Sequence, residues 1–303
     1  MKTVLITGGT GLLGSRLSQL LKIKGYRVTH LSRRRNLDAT FPAYQWDIQK
    51  GEIETEALTQ ADYIITLAGA GIADRRWTAA RKKLIIDSRV NGIRLIKKEL
   101  EALNHHPKAI IGATATGYYG NAGSQLVDEN ASSGDDFLSE SVREWEAAYD
   151  ELATLNVRLP RIRVGIVLST QGGALQKMLP TYKAGFGTYF GDGHQIYSWI
   201  HLDDICNIFI HAIENEEMTG IYNGVAPHPV SNKLLAKAIA SAKNMNEVVL
   251  PAPAFVMKLV LGEMAAVVLS GSNISSKKIE ATGFSFEHKE IVSALQDLLE
   301  RKI

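Results

Sequence analysis

The segment Thr7-Gly8-Gly9-Thr10-Gly11-Leu12-Leu13-Gly14 constrains this chain more than any other part of it. A short apolar, β-branched run, Thr3–Thr7, leads into it. Residues 12–24 follow, with Leu13, Leu17, Leu20 and Leu21 at helical spacing and a stop at Gly25. Strand, tight glycine turn and amphipathic helix in that order open a βαβ unit, so the fold class read here is α/β with a doubly wound parallel sheet. Each glycine has a mechanical use. Gly8 permits the turn, Gly11 lets a pyrophosphate approach the backbone, and Gly14 lets the helix pack close to the sheet. The helix start adds free N–H groups and a partial positive charge. Thr7, Gly8, Gly11, Leu12, Leu13 and Gly14 are therefore read as a dinucleotide site. Turns use glycine for other reasons too, and the strand–loop–helix context is what separates this one from a structural turn.

An acid at the end of the second strand commonly bonds the ribose hydroxyls of NAD in such sheets. Here that strand, residues 27–31, ends in Ser32-Arg33-Arg34-Arg35. A carboxylate would repel a 2′-phosphate, whereas guanidinium groups bind it in bidentate fashion. Ser32, Arg33 and Arg34 thus point to NADP(H) over NAD(H), against the alternative of a solvated basic turn. Asp47 and Ile48, just after a third strand at 44–46, stand where the adenine edge would lie. A fourth strand, 62–67, ends in Leu67-Ala68-Gly69-Ala70-Gly71, whose Leu67, Ala68 and Gly69 are further cofactor candidates.

The rest of the chain continues the alternation. Helix patterns cover 78–103 and 137–155, with strands over 108–113 and 157–167. Residues 172–193 read as a glycine-rich loop, 198–213 as a strand entering a helix, and 232–243 and 254–269 as helices, the latter core-facing. A last helix begins near His288. The expected organisation is a Rossmann domain over 1–165, rejoined by 199–225, and a smaller substrate lobe drawn mainly from 166–303.

With 45% hydrophobic and 22% charged residues and a net charge of only +2, nothing global points to nucleic acid or an anionic membrane. The one cysteine, Cys206, excludes an intrachain disulfide and reads as a buried apolar residue. The first residues lack the apolar stretch of a signal peptide. The most apolar tract, 248–269, is interrupted by Pro251, Pro253, Lys258 and Glu263, so it does not read as a membrane span. The expectation is a cytoplasmic protein acting on a small molecule.

With these residues in view, the chain resembles an extended short-chain dehydrogenase/reductase, more narrowly an atypical epimerase-like subgroup of NAD-dependent epimerase/dehydratase-like proteins. Thr7–Gly14 matches the TGxxGxxG loop. Leu67-Ala68-Gly69 with Arg76-Trp77 resembles the subgroup's LAG…RRW stretch, Ser88-Arg89-Val90 its SRV element, and Thr114-Ala115-Thr116-Gly117-Tyr118-Tyr119-Gly120 its SATGYYG segment. Trp199-Ile200-His201-Leu202-Asp203-Asp204 matches WIHxDD. The tail from Pro251 to Phe286 resembles a small C-terminal domain of unknown function. The match runs almost end to end.

The resemblance implies an oxidoreductase or epimerase acting on a small polar substrate, nucleotide-sugar-like by analogy, and a homodimer through the helices at 78–103 and 137–155. It also exposes a break. Such enzymes use a Ser/Thr with a Tyr-x-x-x-Lys pair, the lysine lowering the tyrosine's pKa. Thr114 fits the Ser/Thr position, but the tyrosine and lysine slots fall near Leu138 and Val142, and no lysine occurs between Lys108 and Lys177. Tyr118 and Tyr119 are the remaining catalytic candidates, with pocket contact as the alternative for Tyr119. Asp128-Glu129 stands where a substrate-loop acid is common. Arg89, a further cofactor-binding candidate, stands where many members carry a helix asparagine, and Arg76 is read as pointing into the same cleft; either is read as holding an acidic substrate group, with a solvated helix face as the alternative for both. His201, Asp203 and Asp204 lack a further His/Cys set at ligand spacing, so no metal is expected. Two readings remain open: an NADP(H)-dependent enzyme with a rearranged site, or a non-catalytic NADP(H)-binding sensor. A structural role without dinucleotide is disfavoured by the loop.

Overall fold

The computed structural model describes residues 1–246 and 248–300. Every position of β1 (Thr3–Thr7) is buried, which places it inside a sheet covered by helices on both faces. The elements that follow are α1 (Leu12–Ile23), β2 (Arg27–Ser32), β3 (Ala43–Asp47), β4 (Glu52–Ile53), the single turn α2 (Glu56–Thr59), β5 (Tyr63–Thr66), α3 (Ala79–Leu103), β6 (Ala109–Ala115), β7 (Gly123–Val127), α4 (Phe137–Asp150) and β8 (Pro160–Val164). The second half contains β9 (Ile166–Leu168), α5 (Gly173–Lys183), β10 (Gly187–Phe190), β11 (Ile196–Tyr197), β12 (Trp199–His201), α6 (Leu202–Glu214) and β13 (Gly220–Gly224). After these come β14 (Val230–Ser231), α7 (Asn232–Ala242), β15 (Val249–Ala252), α8 (Ala254–Leu261), α9 (Ala266–Leu269), β16 (Ser272–Ile274), α10 (Lys277–Glu280) and α11 (Ile291–Glu300).

Eight strands form the central sheet in the order β13-β8-β6-β5-β1-β2-β3-β4. The pairs are parallel except for the short β3–β4 edge. Because β1 has β2 on one side and β5 on the other, the winding reverses between β1 and β5. That reversal opens a crevice beyond the carboxyl ends of the strands, where α/β sheets bind ligands. This is the doubly wound Rossmann-like sheet that the alternation predicts.

Four local readings differ from the structure. The strand read over 157–167 is cut at Gly165, where a Cβ would lie 2.6 Å from the Ser198 carbonyl oxygen; β9 leaves the main sheet to pair with β12. The helix read over 137–155 ends as α4 at Asp150 and tightens into a 3₁₀ turn, Glu151–Leu155, stopped by Asn156 at φ 52°. Residues 172–193 are not mainly loop. Leu175, Met178 and Tyr182 recur at helical spacing and bury themselves as α5, while the glycines sit at its ends. Finally, 254–269 is not one core-facing helix. Gly262 at φ 62° breaks it, and α8 buries none of its residues. Its Phe255 and Leu259 are 73% and 77% exposed, so α8 is an outer surface of the C-terminal lobe.

The largest core follows the central sheet, and a second gathers Leu168, Leu175, Trp199, Leu235, Ile239 and Leu295 under the C-terminal lobe. Cys206 is completely buried, and that burial pushes its thiol pKa up. Among the described residues, no helix is long and apolar enough to cross a membrane.

Candidate functional site

The crevice is built by loops that lock to one another. Thr7 is buried at the end of β1, and its Oγ1 accepts the N–H groups of Leu67 and Ala68, each at 3.1 Å. The turn after β5 is thereby tied to the turn after β1. Gly8 adopts φ 70°, and a Cβ on it would stand 3.0 Å from Ala68 Cα. A Cβ on Gly14 would run into the carbonyl oxygen of Gly8 and meet Gly9 Cα at 2.7 Å. Gly9 rests on the ring of His30. Helix α1 begins without a side-chain cap and without an acid in its first turn, so the amides of Leu12 and Leu13 are left for another acceptor. Leu12 also touches Gly172 and Gly173 at the start of α5, bringing the second half of the chain against the glycine loop.

Ser32 ends β2. Arg33 and Arg34 after it are exposed and make no ion pair among the described residues, whereas Arg35 pairs with Glu54 at 3.1 Å. Asp47 uses its Oδ1 to accept the N–H groups of Gln49 and Lys50 in its own turn. Ile48 stands against α3 at Gly92. Beside Gly69 lies Arg89, which donates through Nη1 to the carbonyls of Ala70 and Ile85 at 3.1 and 2.8 Å. Its guanidinium carbon sits 4.8 Å from the Trp145 ring centre.

The turn after β6 gathers the residues read above as catalytic candidates. Leu138 and Val142 do face the turn after β6: a Cβ on Gly117 would lie 3.4 Å from Leu138 Cβ and 3.9 Å from Val142 Cγ2. Aliphatic side chains thus face this turn from α4. Thr114 is 2% exposed, and its hydroxyl donates to Glu146 Oε1 at 3.1 Å. Glu146 in turn holds Arg163 by two bonds of 2.8 and 2.7 Å. Arg163 Nη1 donates to the Tyr119 hydroxyl at 2.9 Å, and that hydroxyl donates to Asn223 Oδ1 at 2.7 Å. Burial opposes the Arg163 charge, but Glu146 and Tyr119 more than offset it. Burial also raises the pKa of Tyr119. Both hydroxyls thus take part in a buried polar network that joins β6, α4, β8 and β13. Tyr118 differs. It is half-buried, its ring covers the Arg163 guanidinium at 3.5 Å, and its hydroxyl has no hydrogen-bond partner among the described residues.

Other residues expected at the cleft have local partners. Glu129 accepts the Asn223 N–H through its Oε1 at 2.7 Å. Asp128 caps the local turn at Asn130. Arg76 does not enter the cleft; its Nε donates to Val260 O at 2.9 Å and its Nη2 to Leu259 O at 2.8 Å, where the end of α8 leaves carbonyls open. His201 caps α6, its Nδ1 accepting the Asp203 N–H, and its Nε2 meets Asp297 Oδ2 at 3.1 Å. His288 and Asp297 lie close enough to share a metal with His201. With Nδ1 accepting, however, Nε2 carries the proton and donates to Asp297, so the ring is a hydrogen-bonded cap. Asp203 pairs with Arg16 at 2.7 Å.

Reading the sequence missed Glu146, Arg163 and Asn223. A signal was there: Glu146 falls on the apolar stripe of α4 with Val142, Trp145 and Tyr149, and Arg163 sits in a buried strand. A charge on a buried face requires a partner, though not one that sequence can name.

A model of the NAD dependent epimerase/dehydratase family matches residues 4–223, and a domain of unknown function (DUF1731) matches residues 252–298. An epimerase family protein SDR39U1 homolog, chloroplastic, from Arabidopsis thaliana is 35% identical over 98% of this chain and 87% of its own. An epimerase family protein of Staphylococcus aureus is 34% identical over 99% of each chain. Among solved structures, human epimerase family protein SDR39U1 (isoform 2) with NADPH superposes with a TM-score of 0.88 at 32% identity, covering 99% of this chain and 100% of that one.

Proposed function

Because the chain belongs to the NAD dependent epimerase/dehydratase family, we propose that it binds NADP(H) in the crevice between β1 and β5. We further propose that it acts there as an oxidoreductase or epimerase-like enzyme of the extended short-chain type. The observation that carries this reading is the meeting of three loops at one sheet edge: Gly8–Leu12, Ser32–Arg34 and Leu67–Gly69. A Cβ on Gly14 would collide with the Gly8 and Gly9 backbone that shapes the cradle, while Gly11 leaves the side toward a pyrophosphate open. Arg33 and Arg34, exposed and without an ion pair among the described residues, suit a 2′-phosphate. Bound NADP(H) would supply or accept a hydride; Ile48, Leu67 and Ala68 would flank its adenosine half. Tyr118, with an uncommitted hydroxyl beside Gly117, is the group left to move a proton, while Thr114 and Tyr119 hold the floor beneath it.

One observation favours a second reading. Leu138 and Val142 fill the slots where a tyrosine and a lysine would act, as expected for a protein that keeps the cofactor and has lost the chemistry.

The test is calorimetric titration with NADPH and NADH, repeated on the Arg33→Ala/Arg34→Ala protein. NADPH is expected to bind more tightly than NADH in the wild type, and the preference is expected to collapse in the variant. Equal affinity for both nucleotides in the wild type would remove the 2′-phosphate site, and binding of neither would remove both readings. Deuterium at the nicotinamide C4 then separates the two. Loss of label to a carbonyl substrate marks an enzyme, and retention across a broad panel marks a binding protein.

A further inference from the structure

Arg81, in the first turn of α3, is a guanidinium that the fold leaves undercompensated. Its side chain is 15% exposed, and its Nε is buried with no hydrogen-bond partner. Nη2 donates to the Gly71 carbonyl and reaches Asp74 Oδ2 at only 3.4 Å. Nη1 finds no acceptor among the described residues. Asp74 is 66% exposed, and the first turn of α3 holds no acid of its own. A desolvated charge normally has a counter-ion held close; here a water-facing carboxylate makes one long contact. That carboxylate lies against Gly71, where any Cβ would collide with it.

The surroundings are cationic. Arg76 and Lys82 bind Val260 O and Glu263, and Lys177 reaches Ala73 O, so α3, α5 and the turn itself all bring positive charge to residues 71–82. Arg75 and Lys258 are exposed and form no ion pair among the described residues. The turn also adjoins the crevice. Trp77 donates its indole N–H to Ile72 O at 2.9 Å and packs edge-on against Phe137 at 4.8 Å. The next residue, Leu138, faces Gly117, immediately before Tyr118. An anion carried by the substrate would be met here, close to the group proposed above to move a proton.

We propose that Arg81 is the docking group for a carboxylate on the substrate, which binds through Nη1 and Nη2 after displacing Asp74. Asp74 is then a built-in competitor that partly neutralises the guanidinium until substrate arrives. The planar fork takes a carboxylate by two parallel bonds, and a carboxylate is what stands beside it in the free protein. This assignment rests on the enzyme reading above and deepens it by naming the substrate class.

The experiment titrates the protein, with and without NADPH, with malonate, inorganic phosphate and neutral malonamide, following the Trp77 indole N–H by NMR. Wild type is expected to bind malonate with roughly millimolar affinity and malonamide not detectably. Asp74→Asn, at an exposed side chain, should tighten malonate about two- to fivefold, the worth of an exposed ion pair. Arg81→Met should weaken it at least about tenfold, the worth of a hydrogen bond to a charged group. Arg81→Lys keeps the charge but not the fork and should fall between the two. Unchanged or weaker malonate binding in Asp74→Asn overturns the inference, even where Arg81→Met fails to fold. Phosphate held as tightly as malonate, or malonamide bound equally well, removes the carboxylate assignment. A protein that binds NADPH but no malonate loses only this inference. One that binds malonate at Arg81 but no NADPH loses only the cofactor reading, and one that binds neither loses both.

Discussion

At the residue scale, the behaviour of a charged or titratable side chain here follows from what it was buried against. His30 shows this under the glycine loop. It is 5% exposed, its Nε2 lies 2.8 Å from Ser18 Oγ, and that hydroxyl donates to Gly14 O. Burial lowers its pKa to about 4, so the ring is neutral at physiological pH. The folded value lies below the ordinary 6.5. As pH falls through 6.5, the unfolded chain therefore takes a proton that the native chain refuses. Stability should drop between pH 6.5 and 4, by on the order of 3 kcal/mol at most. Denaturant titrations across that range are expected to show this slope in the wild type and to lack it in His30→Gln; an identical slope in both would place the acid sensitivity elsewhere. Glu146 and Arg163 carry the complementary lesson. Each is readable from sequence as a charge on a buried face, yet their pairing spans α4 and β8 and joins Thr114 and Tyr119 to the same network. Sequence therefore offered two hydroxyls as separate candidates, and only the fold joined them through one buried ion pair.

At the scale of elements, the strand–loop–helix unit at the N-terminus was legible because its signals are local: an apolar β-branched run, three spaced glycines and a leucine stripe. Its glycines differ in what they protect. A Cβ on Gly14 meets backbone atoms of Gly8 and Gly9, whereas one on Gly11 has only Gly8 O nearby, at 3.3 Å. Gly14→Ala is expected to lose about 1–3 kcal/mol of folding stability through overpacking. Gly11→Ala should stay near wild-type stability but weaken NADPH binding, because its methyl would point at the ligand. Unfolding curves and titrations on the pair test this, and equal stability of the two variants would contradict it. Elements of the second half were harder to read. In α5 the glycines at the boundaries outweighed the buried stripe of Leu175, Met178 and Tyr182. In α8 an apolar composition suggested burial, but composition does not say whether another layer covers a helix.

Over the whole molecule, Arg76 links the α8 surface to the turn after β5, with Lys82 paired to Glu263 and Lys177 reaching Ala73 O. These exposed contacts are individually weak. Arg76→Ala should speed amide hydrogen exchange in α8 while leaving the central strands protected; unchanged exchange in α8 would mean that the helix is held by its packing alone. The amino-acid sequence by itself determined the α/β class, the position of the glycine loop, the basic end of β2 and the absence of a Tyr-x-x-x-Lys pair, because each depends on residues near one another in the chain. Only the tertiary structure decided that Thr114 and Tyr119 belong to a buried network, that Arg76 caps α8, and that Arg89 packs on Trp145 while bonding the Ala70 carbonyl. Those outcomes depend on which surfaces meet across the sheet, and desolvation, the dominant energy for a charge, is set by that meeting and by nothing local to the chain.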